Sequence, residues 1–510
     1  MSSLLRYIAY LVVALITALS HTAAYASDGI VGPGNCDEPG FVSVLNTVQT
    51  SGGGAITFNC GPALTISFTS YRQISSTVVI DGADAVTFDG NNVAALFQIF
   101  STANLALKRL TLKRGVFSSA HALENFGTLT IDRCTISQNS GASAIVSTGT
   151  LSIHSSTFSG NSINSGAARA GAALRIEDGD VRIDNSVFNG NSTGTIGTGG
   201  AIVQSGGTLT VVATSFSNNS AADGGAMYLA AGTTTTIARS TFSGNSAGYG
   251  AAIETFSPSL TVRDSTFSGN NAVNGDGGAI WILGGVISVD RSQFVDNVSA
   301  TTGGAISCYG DYMIITNSAF GNNRSGTVGG AIYNACGLGL TNATLHGNAT
   351  TGINGGGAVY HDGPKSALVS FATINGNSAA FGGGLYHDPV TGGELIAGQS
   401  ILSANIGGNC DGVVGTNGYN VVNDTGCGGF DAASDLQNAN LPLASFADNG
   451  GPTFTQLPMS GNVAIDRIPA AQCFTPSDQR SGIRPTNGNC DVGAVELNAV
   501  LDFIFADGLE

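Results

Sequence analysis

Two short stretches of this sequence carry residue types that often do chemistry. "VYHDG" begins at residue 359 and "LYHDP" at residue 385, so a His-Asp pair occurs twice, about 26 residues apart. Stacked in register, two imidazoles and two carboxylates could bind a metal ion or form an acid–base pair. The favoured alternative is a repeated strand end, where Asp suits the turn and His is incidental, with no metal bound. The candidate residues are His361, Asp362, His387 and Asp388.

A column of aromatic residues is the second candidate. In successive repeats, the residue that follows an inward aliphatic side chain is often Tyr or Trp, and strand alternation points it outward. An exposed aromatic strip could stack on sugar rings, whereas the alternative is a ladder that only stiffens the sheet. The candidate ligand-binding residues are Trp281, Tyr333, Tyr360 and Tyr386.

Other catalytic signatures are sparse. A polysaccharide lyase needs acidic residues holding Ca²⁺ beside a basic residue, and a hydrolase needs converging carboxylates. Asp223 and Asp276 each precede a glycine pair, but equivalent positions in other repeats are uncharged. Phosphate loops, nucleophile elbows and His-Glu-x-x-His are not found. We therefore expect no cofactor.

The elements that must position these residues are sequence repeats. "FSGN"-like steps end at eleven asparagines from Asn139 to Asn405, and "GGAI"-like steps lie between them. Each unit holds short alternating runs rich in Thr, Val, Ile and Phe, which are typical of strands between turns. A unit of about 26 residues cannot cover its own apolar face, so units must stack. The Phe, Ala and Ile are expected to point inward, the Asn to form a left-handed turn and a stacked amide ladder, and the glycines to turn corners.

This pattern predicts an all-β fold, a parallel β-helix of roughly 15 coils with covered ends. An antiparallel sandwich would not need the same residue types at the same place in each unit. The expected segments are a signal peptide (1–26), an N-terminal cap with irregular coils (27–129), regular repeats (130–405), a small β-rich C-terminal domain (406–497) and a tail (498–510).

Nine cysteines in an exported chain indicate disulfide bonds. Three pairs lie close in sequence near the chain ends, and a fourth pair lies one repeat apart. The candidate pairs are Cys36 with Cys60, Cys308 with Cys336, Cys410 with Cys427, and Cys473 with Cys490. Cys134 is left over and is expected to be a small buried side chain.

The paired motifs "GGAI" and "FSGN", over residues 130 to 405, resemble the repeats of polymorphic outer-membrane proteins. That resemblance implies a right-handed parallel β-helix and a surface-exposed, adhesin-like role. The usual C-terminal autotransporter barrel is missing from the pattern, because the segment after Asn405 lacks alternating ten-residue strands.

The C-terminal motifs resemble a different family. "GGNCDG", "NGYNVV", "DNGGPTFTQLP" and "SDQRSGIRPTNGNCDVGAVE" occur in the order seen in the choice-of-anchor domain of bacterial β-helix surface proteins. Ser481 departs from that pattern, since the family usually has Gly after "DQR". The final "FIFADGLE" is similar to short acidic tails of some exported Gram-negative proteins, which implies a sorting or anchoring signal.

Composition bounds the location and the partners. Residues 1–26 combine Arg6, a short apolar run and an Ala-x-Ala site, which is typical of a secretory signal peptide. No later stretch is long and apolar enough for a transmembrane helix. A net charge of −16 disfavours nucleic acid.

The sequence therefore predicts an exported, monomeric, non-catalytic β-helix at the outer-membrane surface or outside the cell, serving adhesion or surface structure. Its expected partner is an extracellular glycan or a host or neighbouring cell surface. The alternative is a carbohydrate-active enzyme, a lyase or hydrolase that uses a groove near the His-Asp pairs. The ligand and the anchoring machinery stay open.

Overall fold

The protein, described by a computed structural model, is a right-handed parallel β-helix of about 14 turns. The structure describes residues 26–115, 121–163, 171–388, 390 and 392–501. The predicted signal peptide and the last nine residues of the predicted tail lie outside these ranges, apart from Ala26. The predicted fold class is confirmed.

Three parallel sheets run along the rod, and a two-stranded antiparallel sheet lies in residues 436–501, which we call the C-terminal segment. Sheet A has 27 strands because most turns contribute a longer and a shorter segment on either side of a bend, whereas a few contribute one continuous strand, such as Gly337–His346. Sheet B has 14 short strands, one per turn, and sheet C has five two-residue strands.

The strands of sheet A are Gly29–Val31, Gly53–Phe58, Leu64–Ser67, Thr77–Asp89, Asn104–Lys113, Thr128–Asp132, Thr135–Ser137, Thr150–His154, Thr157–Ser159, Asp180–Asp184, Val187–Asn189, Thr208–Val212, Ser215–Ser217, Thr234–Ala238, Thr241–Ser243, Ser259–Arg263, Thr266–Ser268, Val286–Asp290, Gln293–Val295, Tyr312–Thr316, Ala319–Gly321, Gly337–His346, Ala367–Asn375, Leu395–Gly398, Ile401–Ser403, Val414–Thr416 and Val421–Val422. The strands of sheet B are Arg72–Ile74, Phe97–Ile99, Leu123–Asn125, Ile145–Ser147, Leu174–Ile176, Ile202–Gln204, Met227–Leu229, Ile253–Thr255, Ile280–Ile282, Ile306–Cys308, Ile332–Asn334, Val359–His361, Leu385–His387 and Cys410–Asp411. The strands of sheet C are Ser246–Ala247, Asn271–Ala272, Val298–Ser299, Arg324–Ser325 and Ala349–Thr350, and the antiparallel pair is Ile468–Pro469 with Asn489–Cys490.

The repeated side chains form ladders in the core. Phe158, Phe188 and their equivalents to Phe320 stack with ring centroids 4.6 to 4.9 Å apart. The Asn after each Phe segment donates its side-chain N–H to the next Asn amide oxygen, as from Asn245 to Asn270 at 2.9 Å. The left-handed backbone position is the residue before the Asn, such as Gly269 at φ +61°, and not the Asn itself. The prediction that the Asn itself forms the left-handed turn was therefore wrong, because the Asn amide forms the hydrogen bonds of the ladder and the preceding residue forms the turn.

The glycine pair of each "GGAI" step turns the corner into sheet B. Gly277 has φ +67°, which disfavours any side chain. A Cβ on Gly278 would lie 2.0 Å from the Gly304 carbonyl oxygen of the next turn. Ala279 and Ile280 then enter the core, fully buried. The first glycine is therefore required by its positive φ, and the second by the close approach of the next turn.

A helix, Glu38–Thr50, lies against the first strands and was not predicted. Asp37 caps it by accepting a hydrogen bond from the Gly40 N–H, and Phe41, Leu45 and Val48 form its buried face. Because these apolar residues cover the first turn, the helix closes the N-terminal end of the rod. None of the helices in the described ranges has the length and apolar character needed to span a membrane.

The prediction of disulfide bonds is confirmed. The structure contains Cys36–Cys60, Cys308–Cys336, Cys410–Cys427 and Cys473–Cys490. Cys134 is free and buried, and burial raises the pKa of its thiol to about 11.

The C-terminal segment folds back along the outer side of sheet A. Asn342 donates to the Ser477 carbonyl oxygen at 2.9 Å, and the Ala494 N–H donates to the Thr373 hydroxyl at 3.0 Å. Within the segment, the Asp478 carboxylate accepts hydrogen bonds from Arg480 and from the Glu496 N–H. Asp478 and Arg480 of the "DQR" motif therefore connect different parts of this segment to each other by hydrogen bonds.

Candidate functional site

The outer face of sheet B holds both candidate groups. In each three-residue strand the first and third side chains point into the core and the second points outward. The outward residues align in register from turn to turn. We call this set the outer column; from the seventh strand onward its members are Tyr228, Glu254, Trp281, Ser307, Tyr333, Tyr360, Tyr386 and Asp411.

His361 and His387 occupy the third strand position and therefore point inward. Their rings stack in the core with centroids 5.6 Å apart. The His361 Nδ1 lies 2.9 Å from the Asn334 side-chain nitrogen, and burial lowers the pKa of this imidazole. His387 places Nδ1 2.6 Å from the Val413 carbonyl oxygen and Nε2 2.8 Å from that of Gly393. Both histidines are core residues.

Asp362 and Asp388 lie beyond the strand end and are held by tyrosines of the outer column. The Tyr333 hydroxyl donates to the Asp362 carboxylate at 3.0 Å, and the Tyr360 hydroxyl donates to Asp388 at 3.3 Å. The carboxylates and imidazoles thus have separate partners and do not form one metal-binding or acid–base group. In the described part of the chain, no three His, Cys, Asp or Glu side chains are grouped so as to hold a metal ion.

The tyrosine ladder forms as the repeats predict, but it is less exposed than expected. Tyr333, Tyr360 and Tyr386 stack with centroids 5.9 and 4.8 Å apart. Tyr333 and Tyr360 are only 8% and 9% exposed, because they pack with each other, with the corner residue Val328 and with Tyr386. Burial raises the pKa of both phenols. These two rings have little free surface for a ligand.

A more exposed aromatic pair lies elsewhere on the same face. Trp281, half-buried, stacks on Tyr249 with ring centroids 4.5 Å apart and an interplanar angle of 25°. Tyr249 is 37% exposed, and the buried Trp281 Nε1 has no hydrogen-bond partner. Tyr249 occupies the corner position before Gly250, and strand alternation makes no prediction for that position. An aromatic residue at that corner position was the sequence feature that could have predicted the stacked pair.

Sequence reasoning also missed a carboxylate pair beside this platform. Glu254 lies between Tyr228 and Trp281 in the outer column and is 3% exposed, and its Oε2 has no hydrogen-bond partner. Burial, with the charge of Asp223 as a further cause, raises the pKa of Glu254 to about 8. Burial also raises the pKa of Asp223, at the corner of the preceding turn. The pair was overlooked because Glu254 interrupts an aromatic column.

The fold defines the class of protein as a right-handed parallel β-helix. A family model described as right handed beta helix region matches residues 122–294. A solved structure described as a new PL6 alginate lyase complex with trisaccharide is similar at 11% sequence identity and a TM-score of 0.35, covering 85% of this chain and 91% of that chain. A likeness of this size carries no information about substrate. A comparison with curated protein sequences finds no match.

Proposed function

We propose that the protein is an exported, non-catalytic β-helix that binds an extracellular glycan on the outer face of sheet B and serves adhesion or surface structure. The observation that carries this proposal is the stacked pair of Tyr249 and Trp281. Aromatic faces beside hydroxyl-binding groups are typical of sugar recognition, and Tyr249 is 37% exposed.

Several features support an exported surface role. Four disulfide bonds favour an oxidising compartment. The "GGAI" and "FSGN" repeats resemble those of polymorphic outer-membrane proteins, and the C-terminal motifs resemble a choice-of-anchor domain. On this proposal residues 1–26 are a signal peptide, 27–129 the cap and first coils, 130–405 the repeats, 406–497 the anchor-like segment and 498–510 a sorting tail on a monomeric chain.

The structure does not support the alternative, a lyase or hydrolase, because its candidate catalytic residues do not lie together. The imidazoles of His361 and His387 lie in the core, whereas the carboxylates of Asp362 and Asp388 lie outside it, bonded to tyrosines. A general base and a general acid must reach the same bond, and these four side chains do not converge. We therefore expect no release of reducing or unsaturated sugar ends from bound polysaccharides.

A glycan array tests the binding site. Trp281→Ala and Tyr249→Ala should each weaken binding to the best wild-type glycan by about tenfold, because each removes one stacking face. Phe474→Ala is the matched control, since Phe474 is an aromatic residue on the C-terminal segment that is 69% exposed. Binding that survives both platform substitutions unchanged would exclude this surface as the site.

A further inference from the structure

The buried carboxyl pair beside the aromatic platform lacks a cation. Neither Asp223 nor Glu254 forms a salt bridge or a side-chain hydrogen bond in the described part of the chain. A buried carboxyl normally has a partner, because desolvating its charge without one is costly. By contrast, Asp276 on the same face accepts hydrogen bonds from the Thr302 N–H at 3.1 Å and the Tyr309 hydroxyl at 3.0 Å. Among the described residues, the pair thus differs from Asp276 and Asp362, each of which accepts at least one side-chain hydrogen bond.

The surroundings of the pair are aromatic. In register, Glu254 has Tyr228 on one side and Trp281 on the other. Tyr249 lies at the adjoining corner and stacks on Trp281. Carboxylates within aromatic walls are the chemistry that recognises an organic ammonium group, by charge and by attraction to the ring faces.

The charge of the face favours the same ligand. Among the residues that the structure describes, the titratable groups beside Glu254 in the neighbouring turns are Asp223, Tyr228, Tyr249 and Asp276, and none of these side chains is basic. The eight members of the outer column from Tyr228 to Asp411 include no Lys, Arg or His. With a net charge of −16, the chain as a whole also attracts cations.

We propose that Asp223, Glu254, Tyr249 and Trp281 form a binding site for the protonated amine of an amino-sugar polymer. The inference rests on the proposed glycan-binding function and adds a specificity to it: sugars with free amines are preferred over the same sugars with acetylated amines. Asp223 is half-buried, so the ammonium reaches the pair from the corner beside Tyr249.

Binding of the amine is coupled to a proton. Without ligand, the pKa of Glu254 near 8 means that this carboxyl is neutral below that pH. An ammonium beside it favours the ionised form, so the Glu254 proton passes to the buffer as the amine binds. Titration calorimetry in two buffers of different ionisation enthalpy measures this proton release.

The experiment compares a glucosamine pentamer with its fully N-acetylated counterpart at about pH 6, where an amine resembling an α-amino group is protonated. The wild-type protein should bind the free-amine pentamer at least about tenfold more tightly and release up to about one proton. Glu254→Gln should lower the affinity to that of the acetylated pentamer and abolish proton release. Glu124→Gln is the matched control, because Glu124 belongs to the same column but its carboxylate already accepts a hydrogen bond from Gln98 at 2.9 Å.

The outcomes separate the two proposals. Equal affinity for both pentamers, lowered for both by Trp281→Ala, would overturn the amine site and leave glycan binding intact. No binding of either pentamer would overturn the amine site alone, since the glycan array with Trp281→Ala and Tyr249→Ala decides the glycan-binding proposal separately. A lysine pentapeptide that binds as tightly as the free-amine pentamer would overturn the assignment to an amino sugar in favour of a basic protein partner.

A stability measurement shows that Glu254→Gln folds and that the carboxyl is buried. Because the folded pKa of Glu254 lies above the unfolded value, its stabilising contribution is present at acid pH and is lost as pH rises through about 8. The melting temperature of the Gln variant relative to wild type should therefore be higher at about pH 9 than at about pH 5. A constant difference across this range would contradict the buried environment assigned to Glu254.

Discussion

Ser481 occupies a backbone position that suits glycine. Its φ is +68°, in the turn where Asp478 accepts hydrogen bonds from the N–H groups of Arg480 and Gly482. A non-glycine residue in the left-handed region costs roughly 1–2 kcal/mol. This is the position at which the sequence departs from the choice-of-anchor pattern, so the departure has a physical cost.

We expect Ser481→Gly to raise the free energy of unfolding by about 1 kcal/mol, because it relieves that backbone cost. Urea unfolding followed by circular dichroism measures the change. Ser460→Gly is the control, since Ser460 lies in the same segment without a positive φ and should gain nothing. A loss of stability in Ser481→Gly would show that the Ser481 hydroxyl stabilises the fold by more than its backbone conformation costs.

Single residues also show where sequence reasoning ends. Repetition identified Trp281 as an unexplained outward residue, and the structure gives it a stacking partner in Tyr249. The exposure of Tyr333 and Tyr360 could not be read from alternation, because alternation gives direction but not the corner residues that cover a ring. Glu254 belongs to the outward column but was not predicted as a site residue, because one acid in one repeat makes no pattern.

The asparagine ladder shows how elements of this fold depend on each other. Asn270 accepts hydrogen bonds from both the backbone and the side chain of Asn245, and it donates to the Phe242 carbonyl oxygen and to Asn297. All these groups are buried, so water cannot replace a lost partner.

Asn270→Ala should therefore lower the free energy of unfolding by roughly 2–4 kcal/mol, because it leaves the buried Asn245 amide without its acceptor. Thermal unfolding of this variant can be compared with that of Asn274→Ala, an exposed asparagine four residues further along the chain. Equal and small effects in the two variants would mean that the ladder adds little beyond the backbone hydrogen bonds.

At the scale of elements, the repeating parts were predictable and the single parts were not. The Phe ladder, the glycine corners and the buried "GGAI" aliphatics follow from repetition, because stacking brings like residues together. The helix Glu38–Thr50 occurs once, so the repeats could not predict it. The residues "DEP", followed by apolar residues at Phe41, Leu45 and Val48, are nevertheless typical of a helix start. A short periodic segment beside many repeats is easily overlooked.

The C-terminal segment protects sheet A over several turns. Phe371 and Ile401 are 1% exposed beneath this segment, where Leu441, Ile468 and Val492 pack on them. Arg484 is buried against the Phe371 ring, with its guanidinium carbon 4.7 Å from the ring centroid. The outer side of sheet A is thus apolar where the segment lies.

A chain ending at residue 435 should keep its β-sheet circular dichroism but bind a hydrophobic dye and associate at high concentration, because Phe371 and Ile401 become exposed. Fluorescence of the dye and analytical ultracentrifugation measure the two effects. The same truncation with Phe371→Ser and Ile401→Thr should reverse most of both. A truncated chain that stays monomeric and binds no dye would show that the segment is dispensable for covering the sheet.

The fold-back segment also has a mechanical consequence. Its residues hydrogen-bond to Gln293, Ser318, Asn342, Thr373 and Gln399, which lie on successive turns of the rod. A pull on the C-terminal end directed along the rod axis loads these bonds in parallel, as in shear, and does not peel them one after another. A rod tethered at that end would therefore transmit tension into the middle of its stack and resist unwinding from its last coil.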